Sequence, residues 1–134
     1  MTDAEAPDPF APATLGPVRL RNRIVKAATF EGLTREHVVN DELIAFHRKA
    51  AAGGVGMTTL AYCAVAPDGC GTPNELILTP EMTPGLARLA DAVHDEGAAV
   101  SAQIGHAGAV AAGTGLPGLS PSPVFSPLAM KRTK

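Results

Sequence analysis

Apolar and polar positions alternate along the chain in a pattern that predicts short strands separated by helices. Three short apolar runs contain β-branched residues: Ile24 to Ala28, Met57 to Ala61 and Ala99 to Ile104. Runs of this length and composition predict buried strands. Residues 1–17, which contain several prolines, are predicted to form an irregular lead-in.

Each gap between these predicted strands contains a segment with helical periodicity. In the first gap, four positions share one face at the spacing i, i+3, i+4 and i+7: Leu43, Phe46, His47 and Ala50. Asn40 or Asp41 is expected to cap this helix, and Gly53 is expected to end it. In the second gap, Thr83 is expected to cap a helix that has Pro84 in its first turn. The buried face of this helix is predicted to contain Leu86, Leu89, Ala90 and Val93.

The order strand, helix, strand, helix, strand predicts an α/β fold with parallel strands and right-handed crossovers. Periodicity alone leaves open whether the strands form a doubly wound sheet or a barrel. A dinucleotide-binding fold needs its glycines between the first strand and the next helix. Here the first strand continues into Thr29-Phe30-Glu31-Gly32, whereas the glycines at 53, 54 and 56 precede a strand. We interpret those glycines as a helix stop and close-packing positions, and a doubly wound binding domain stays an alternative.

Composition and charge exclude several classes of protein. With 134 residues and a net charge of −2, the chain fits one domain and has no basic stripe for nucleic acid. The acidic start MTDAEAPDPF lacks the features of a secretory signal. The uncharged run from Ala51 to Pro67 is shorter than a membrane span of roughly 20 residues. We therefore expect a cytoplasmic protein without a membrane partner.

The two cysteines, Cys63 and Cys70, match no zinc-binding pattern. A disulfide between them is not expected in a reducing cytosol. The sequence therefore predicts two free thiols and no metal site.

Three collinear stretches share a pattern with one enzyme family. Residues 10–29 read FAPATLGPVRLRNRIVKAAT, residues 50–69 read AAAGGVGMTTLAYCAVAPDG, and residues 86–108 end in DAVHDEGAAVSAQIGHAG. A Pro-Ser pair follows at residues 121–122, as it often does in that family. Together these stretches resemble the Old Yellow Enzyme family of NADH:flavin oxidoreductases, and the resemblance extends over nearly the whole chain.

The resemblance implies the N-terminal part of a (β/α)8 TIM barrel, with residues 1–134 as a fragment of one FMN-binding domain. Three strands and two helices leave such a barrel incomplete, because a whole barrel takes about 250 residues. It also implies an activity, namely an FMN-dependent oxidoreductase that passes hydride from NADH or NADPH to a small electron-poor acceptor such as an activated alkene. The substrate, the nicotinamide preference and the oligomeric state stay open.

By the same resemblance, the carboxyl ends of the three strands bind the flavin. Gln103 is expected to pair with the pyrimidine edge of the ring, since its amide both donates and accepts hydrogen bonds. Tyr62, with Ala61 before it, ends the second strand near the flavin. Small side chains at the end of the first strand let the backbone approach the ring closely, at Ala27, Ala28 and Thr29.

Other positions near the implied site carry separate expectations. His106, which opens the third loop, is expected to contact substrate. Phe30 stands where the family has a flavin-tuning Thr or Cys, so a side-chain hydrogen bond to the flavin carbonyl is not expected. Ala109 stands where the family commonly has an Arg after its His-x-Gly sequence. Lys26 lies in a strand and needs a partner if it is buried, but the sequence shows none. The family's substrate-gripping pair has no counterpart in these residues, so no catalytic residue is assigned.

Two alternatives to an active enzyme stay open. The chain is either a catalytically inactive truncated remnant or one half of a split barrel that needs a C-terminal partner. Three parallel strands leave an open sheet edge. We therefore also expect self-association through that edge, by aggregation or dimerisation, or else a molten state in isolation.

Overall fold

The computed structural model describes residues 6–127 and 131–133. Within these residues the elements are, in chain order, β1 (Ala13–Leu15), β2 (Val18–Leu20), β3 (Val25–Lys26), α1 (Asp41–Ala52), β4 (Met57–Ala64), β5 (Leu76–Ile77), α2 (Thr83–Asp95), β6 (Ala99–Gly105), β7 (Phe125–Ser126) and β8 (Lys131–Arg132). Over the same residues, neither helix has the length and the hydrophobicity that crossing a lipid bilayer requires.

A parallel sheet with β4 at its centre forms the main layer of the molecule. Strand β3 pairs with β4 on one side and β6 pairs with it on the other, and Met57 is in register with both Val25 and Ala99. Strand β5 joins β4 beyond the end of β3, with Cys63 opposite Leu76. The predicted α/β fold with parallel strands is therefore confirmed, with the first strand shorter and the second longer than predicted.

The two helices begin in different ways. Helix α1 begins as predicted, because the Asn40 side chain accepts a hydrogen bond from the Leu43 N–H at 2.9 Å, and the helix ends before Gly53. The expectation that Thr83 caps α2 is wrong. A 3₁₀ turn over Pro80–Met82 precedes the helix, and it already places Thr83 in helical backbone geometry, with φ −53° and ψ −46°. A capping residue needs extended backbone instead.

Both helices pack against one face of the sheet and form the main core. The core contains the buried residues Leu43, Ala51, Leu60, Cys63, Leu76, Met82, Leu89, Val93 and Ala98. Burial of each large aliphatic side chain contributes about 1.5–3 kcal/mol. Strand β6 lies beside this core but keeps three consecutive residues exposed, Ala102, Gln103 and Ile104.

Residues 1–17 are less irregular than predicted. Strand β1 pairs antiparallel with β2 across a tight turn at Gly16-Pro17. Gly16 adopts φ +55°, in the left-handed region that favours glycine, which permits so short a connection. The predicted loop after the third strand likewise contains regular structure, because β7 and β8 form a second antiparallel hairpin.

At the amino end of the sheet, one guanidinium joins the ends of both helices. The Arg21 side chain donates to the carbonyls of Ala51 and Val55 near the end of α1, and at 2.8 Å to that of Glu96, which follows α2. Carbonyls at and after a helix end lack partners from a following turn, so a cation satisfies them well, although the Ala51 carbonyl also accepts the Gly54 N–H at 2.9 Å. Asn22 adds a hydrogen bond to the Gly54 carbonyl at 2.7 Å.

Gly56 lies directly against this amino-end linkage, and its replacement by alanine tests the packing there. An added Cβ would lie 2.5 Å from the Asn22 carbonyl oxygen and 2.8 Å from its Oδ1. Since backbone cannot move aside cheaply, we expect Gly56→Ala to lower the free energy of unfolding by about 1–3 kcal/mol. Gly53→Ala is the control, because its Cβ would be 3.3 Å from the nearest atoms. Urea unfolding measures both variants, and equal stability of the two would contradict the predicted clash.

Candidate functional site

The carboxyl ends of β3, β4 and β6 meet at one edge of the sheet. Leu60 pairs with Ala102 and Cys63 pairs with Ile104, so the ladder shifts register between them. Two residues of β4, Ala61 and Tyr62, therefore lie opposite the single residue Gln103 of β6. This pairing thus brings the predicted flavin-binding residues of β4 and β6 directly beside each other.

Gln103 presents an uncommitted amide at this edge. Its side chain is exposed, and no residue in 6–127 or 131–133 forms a hydrogen bond with it. Ser101, two residues earlier on β6, is instead paired with the Thr59 hydroxyl at 2.8 Å. The amide of Gln103 is therefore free to donate to and accept from a ligand with both kinds of group.

The end of β3 forms a compact turn with small side chains. The Thr29 N–H donates to the Ala27 carbonyl at 2.9 Å, Ala28 is half-buried, and both Ala27 and Thr29 are exposed. The Phe30 ring is 48% exposed, and its edge is 3.5 Å from the position of a Cβ on Gly32. The backbone of this turn can consequently be approached closely by a flat molecule.

Tyr62 fills the space between the ends of β4 and β6. Its ring atoms come within 2.6 Å of the position that a Cβ on Gly105 would take, so the ring requires glycine there. It also packs against the small cluster of Ala64, Cys70 and Ile77. Burial raises the pKa of the Tyr62 hydroxyl, and the nearby Glu75 carboxylate raises it further. The dependence of Tyr62 on Gly105 was not visible in the sequence.

His106 joins the loops that follow β4 and β6. Its Nε2 is 3.4 Å from Oδ1 of Asp68, and its Nδ1 accepts the Gly108 N–H at 3.0 Å. The ring covers Gly69, where an added Cβ would lie 2.5 Å away. His106 therefore contributes to loop packing, and its contact with substrate stays a prediction.

Behind the strand ends lies a group of ionisable residues that we call the buried ion cluster: Lys26, Glu31 and His47. The Lys26 Nζ is 3.0 Å from Oε1 of Glu31, whose side chain is only 2% exposed. His47, on α1, is fully buried, and its Nε2 is 3.2 Å from the same oxygen, without the alignment of a regular hydrogen bond. Its Nδ1 is 2.8 Å from the Thr58 hydroxyl.

The cluster supplies the partner that Lys26 needs, namely Glu31. The cluster itself was not predicted from the sequence. Glu31 lies in a segment read as loop, and His47 was placed on a packing face of α1. A lysine in a strand, with a glutamate five residues later, was the one available signal. The partner on α1 becomes evident only in three dimensions, because the two residues are brought together by the crossover connection.

The protonation of Glu31 reflects two opposing effects. Burial alone raises the pKa of this carboxyl, but the contacts with His47 and Lys26 outweigh it and hold the pKa below the usual 4.5. Glu31 is therefore ionised at neutral pH. Its ion pair with Lys26 is formed inside the protein, where an unpaired charge is costly.

Both cysteines are free, as predicted, and both are buried. Burial, together with the negative charge of Glu31, raises the pKa of Cys63 to about 11. Burial and the charge of Glu75 raise that of Cys70 to about 11 as well. Reactivity requires the thiolate, so neither is a nucleophile at neutral pH. The described residues contain no group of three or more His, Cys, Asp or Glu side chains that could hold a metal ion.

The lowered pKa of Glu31 predicts an acid-dependent loss of stability. A group with a lowered folded-state pKa stabilises the fold fully above its unfolded pKa, near 4.5 here, and that contribution disappears as the pH falls through the folded-state value. We expect Glu31→Gln to be less stable than the parent at pH 7, with the difference shrinking below pH about 4.5. Glu42→Gln, in the exposed first turn of α1, is the control. A difference independent of pH, measured by unfolding from pH 7 down to 3, would contradict the ion-pair assignment.

Comparison with known proteins agrees with this arrangement of strands. Residues 8–131 match the family model of the NADH:flavin oxidoreductase / NADH oxidase family. The chain is 53% identical to a 4,4'-dithiodibutanoate disulfide reductase of Rhodococcus erythropolis, over 100% of this chain and 34% of the relative. It is 40% identical to a metal reductase of Desulforamulus reducens, over 89% of this chain and 18% of that protein. The chain thus spans about a third or less of the length of these relatives.

Solved structures share the fold. The Old Yellow Enzyme homologue from Zymomonas mobilis has a TM-score of 0.78 at 25% identity, covering 90% of this chain and 35% of that one. A 2-naphthoyl-CoA reductase in complex with 2-naphthoyl-CoA has a TM-score of 0.85 at 24% identity, covering 94% and 22%. The prediction of an α/β fold that forms the N-terminal part of a TIM barrel is confirmed. Because the family model matches all but the ends of the chain, this chain belongs to the NADH:flavin oxidoreductase / NADH oxidase family.

Proposed function

We propose that this chain forms the N-terminal part of an FMN-dependent oxidoreductase that passes hydride from NADH or NADPH to a small electron-poor acceptor. The observation that carries the proposal is the free amide of Gln103 opposite Ala61 and Tyr62, at the carboxyl edge of the sheet. Barrel enzymes place their chemistry at this edge, because the loops after the strands converge there.

The residues at this edge fit an isoalloxazine ring. The pyrimidine part of the ring offers donors and acceptors together, which matches a glutamine amide without other partners. The turn at Ala27–Thr29 has small side chains, so its backbone can approach a flat ring, and Tyr62 fills the space between the ends of β4 and β6. FMN, when bound, supplies the hydride-transfer chemistry, while the protein supplies binding, orientation and exclusion of water. In this proposal Gln103 orients the ring, while His106 is either a substrate contact or only a packing residue of the loops.

The acceptor has two candidate classes. The family resemblance favours an activated alkene, and a multifunctional alkene reductase/demethylase of Caballeronia cordobensis is 30% identical to this chain. The relative at 53% identity is a disulfide reductase, which favours an organic disulfide. Reduction of a disulfide takes two electrons and two protons, breaks the sulfur–sulfur bond and releases two thiols. Because both cysteines of this chain are buried, the electrons would come from the cofactor and not from a protein thiol.

We propose that the protein acts in the cytoplasm and that its partners are small molecules. The exposed residues of β6 support the expected self-association through the open sheet edge, since Ile104 is 64% exposed. The inactive remnant and the split barrel that needs a C-terminal half remain competing proposals. Native mass spectrometry of the protein purified from its source separates them, because it reports the chain mass and bound FMN together. A species near 13.7 kDa without FMN would favour the remnant.

Replacement of Gln103 tests the proposed cofactor contact. Loss of one or two hydrogen bonds of about 1 kcal/mol each predicts FMN binding weakened about 5- to 30-fold in Gln103→Leu. Ser101→Ala is the matched control, because Ser101 is on the same strand but paired with Thr59. The dissociation constant is measured from the change in flavin fluorescence on binding. Equal FMN affinity in the two variants would remove Gln103 from the site.

Replacement of the cysteines tests how electrons reach a disulfide acceptor. The double variant Cys63→Ala/Cys70→Ala is expected to reduce the disulfide at a rate within about twofold of the parent, because thiols with pKa values of about 11 are protonated at neutral pH. In the native parent we also expect slow labelling of both thiols by a disulfide reagent. Rapid labelling together with loss of disulfide reduction in the double variant would show a thiol relay instead.

A further inference from the structure

The contacts of the buried ion cluster end on backbone atoms of the proposed flavin-binding strand ends. The Lys26 Nζ donates to the Ala27 carbonyl at the end of β3 and to the Thr59 carbonyl in β4, each at 3.2 Å. The Ala61 N–H faces both oxygens of the Glu31 carboxylate, at 3.3 and 3.4 Å. The ammonium and the carboxylate thus join the end of β3 to the one backbone stretch of β4 that lies opposite Gln103.

On its other side the cluster is closed by α1. The Phe46 ring centroid is 5.2 Å from the Lys26 Nζ, within range of a cation–π contact. The same ring meets His47 edge-on, with centroids 5.3 Å apart. The hydrogen-bonding capacity of Glu31 that Lys26 does not use is directed at the strand end, where both carboxylate oxygens face the Ala61 N–H.

Stability alone is a weak reason for such a cluster. Replacement of a whole buried ion pair by apolar residues of similar volume is often neutral or stabilising, whereas removal of one partner is costly. What apolar residues cannot supply is an acceptor for the Ala61 N–H and a donor to the carbonyls beside it. The specific consequence of the cluster is thus the orientation of this backbone.

We propose that Glu31 is a positioning residue for the flavin, because its carboxylate holds the Ala61 N–H from behind and thereby sets the backbone that lies opposite Gln103. The proposal rests on the proposed function and goes beyond it by assigning a role to a buried residue that the proposed function does not use. Lys26 completes the arrangement, since it keeps the carboxylate ionised and holds Ala27 and Thr59.

Two double variants of the complete protein, as its source encodes it, test this role. In Lys26→Met/Glu31→Met both charges are removed together, and the Ala61 N–H loses its acceptor. In Lys26→Met/Glu31→Gln both charges are also removed, but an amide oxygen remains to accept that hydrogen bond. Glu42→Gln, exposed on α1, is the control for loss of a carboxylate. Circular dichroism first establishes that each variant is folded at the temperature used.

Two quantities are then measured, the FMN dissociation constant and the exchange rate of the Ala61 amide in the FMN-free protein. For Lys26→Met/Glu31→Met we expect binding about tenfold weaker and exchange about tenfold faster, since one hydrogen bond to a charged group is lost. For Lys26→Met/Glu31→Gln we expect a smaller change, about threefold in both quantities, because the Ala61 N–H keeps its acceptor and only the Lys26 donor to Ala27 and Thr59 is lost. Glu42→Gln should match the parent.

The outcomes separate a failure of this inference from a failure of the proposed function. If Lys26→Met/Glu31→Met binds FMN as tightly as the parent, the positioning role is overturned. Equal weakening in both double variants overturns it too, because an acceptor at residue 31 would then make no difference. If the parent protein itself binds no FMN, the proposed function fails first and this inference fails with it.

Discussion

A carboxylate that is almost completely withdrawn from water holds three parts of this molecule together. Glu31 belongs to the segment after β3, yet its partners come from β3, from α1 and from β4. A buried charge is tolerated only when oppositely charged or donating groups surround it closely. This requirement ties the first strand, the first crossover helix and the second strand to one geometry, which in turn determines where the carboxyl ends of the strands lie.

The two edges of the sheet are built on different principles. At the amino edge, Arg21 and Asn22 satisfy carbonyls at the ends of the helices, and Gly56 allows two backbone segments to touch. At the carboxyl edge, Gln103 and Thr29 are exposed and the turn after β3 has small side chains. Barrel enzymes divide stability and chemistry between their two faces in the same manner. Substitutions at the carboxyl edge can therefore alter a ligand contact without breaking the packing that supports it.

The parts of the fold that follow from local periodicity were predictable. Helix α1, its Asn40 cap and the three main strands were found from spacing and residue type alone, since these signals act within one turn or one strand. The start of α2 was not, because a preceding 3₁₀ turn overrides the capping preference of Thr83. The hairpin of β1 and β2 was missed because its strands are only three residues long, too short to show a periodic pattern.

The site was predictable in part. Gln103 could be singled out because its amide both donates and accepts hydrogen bonds and the family pattern gave its place, and its contact with a flavin stays a prediction. The pairing of Glu31 with His47, the fit of Tyr62 over Gly105 and the contact of His106 with Asp68 each join residues from different elements. No periodicity within one segment encodes such contacts. Local signals thus located the strand ends, and the tertiary structure was needed to show what supports them.

Tyr62 allows this region to be followed by tyrosine fluorescence. It is the single tyrosine among these 134 residues, which contain no tryptophan. Its ring is wedged between the ends of β4 and β6, beside the position of Gln103. When tyrosine is excited selectively over the four phenylalanines, ultraviolet emission from these residues therefore originates at one place, next to the edge where a ligand would arrive. The chain carries a built-in optical reporter, and a visible chromophore bound there would quench its emission by energy transfer.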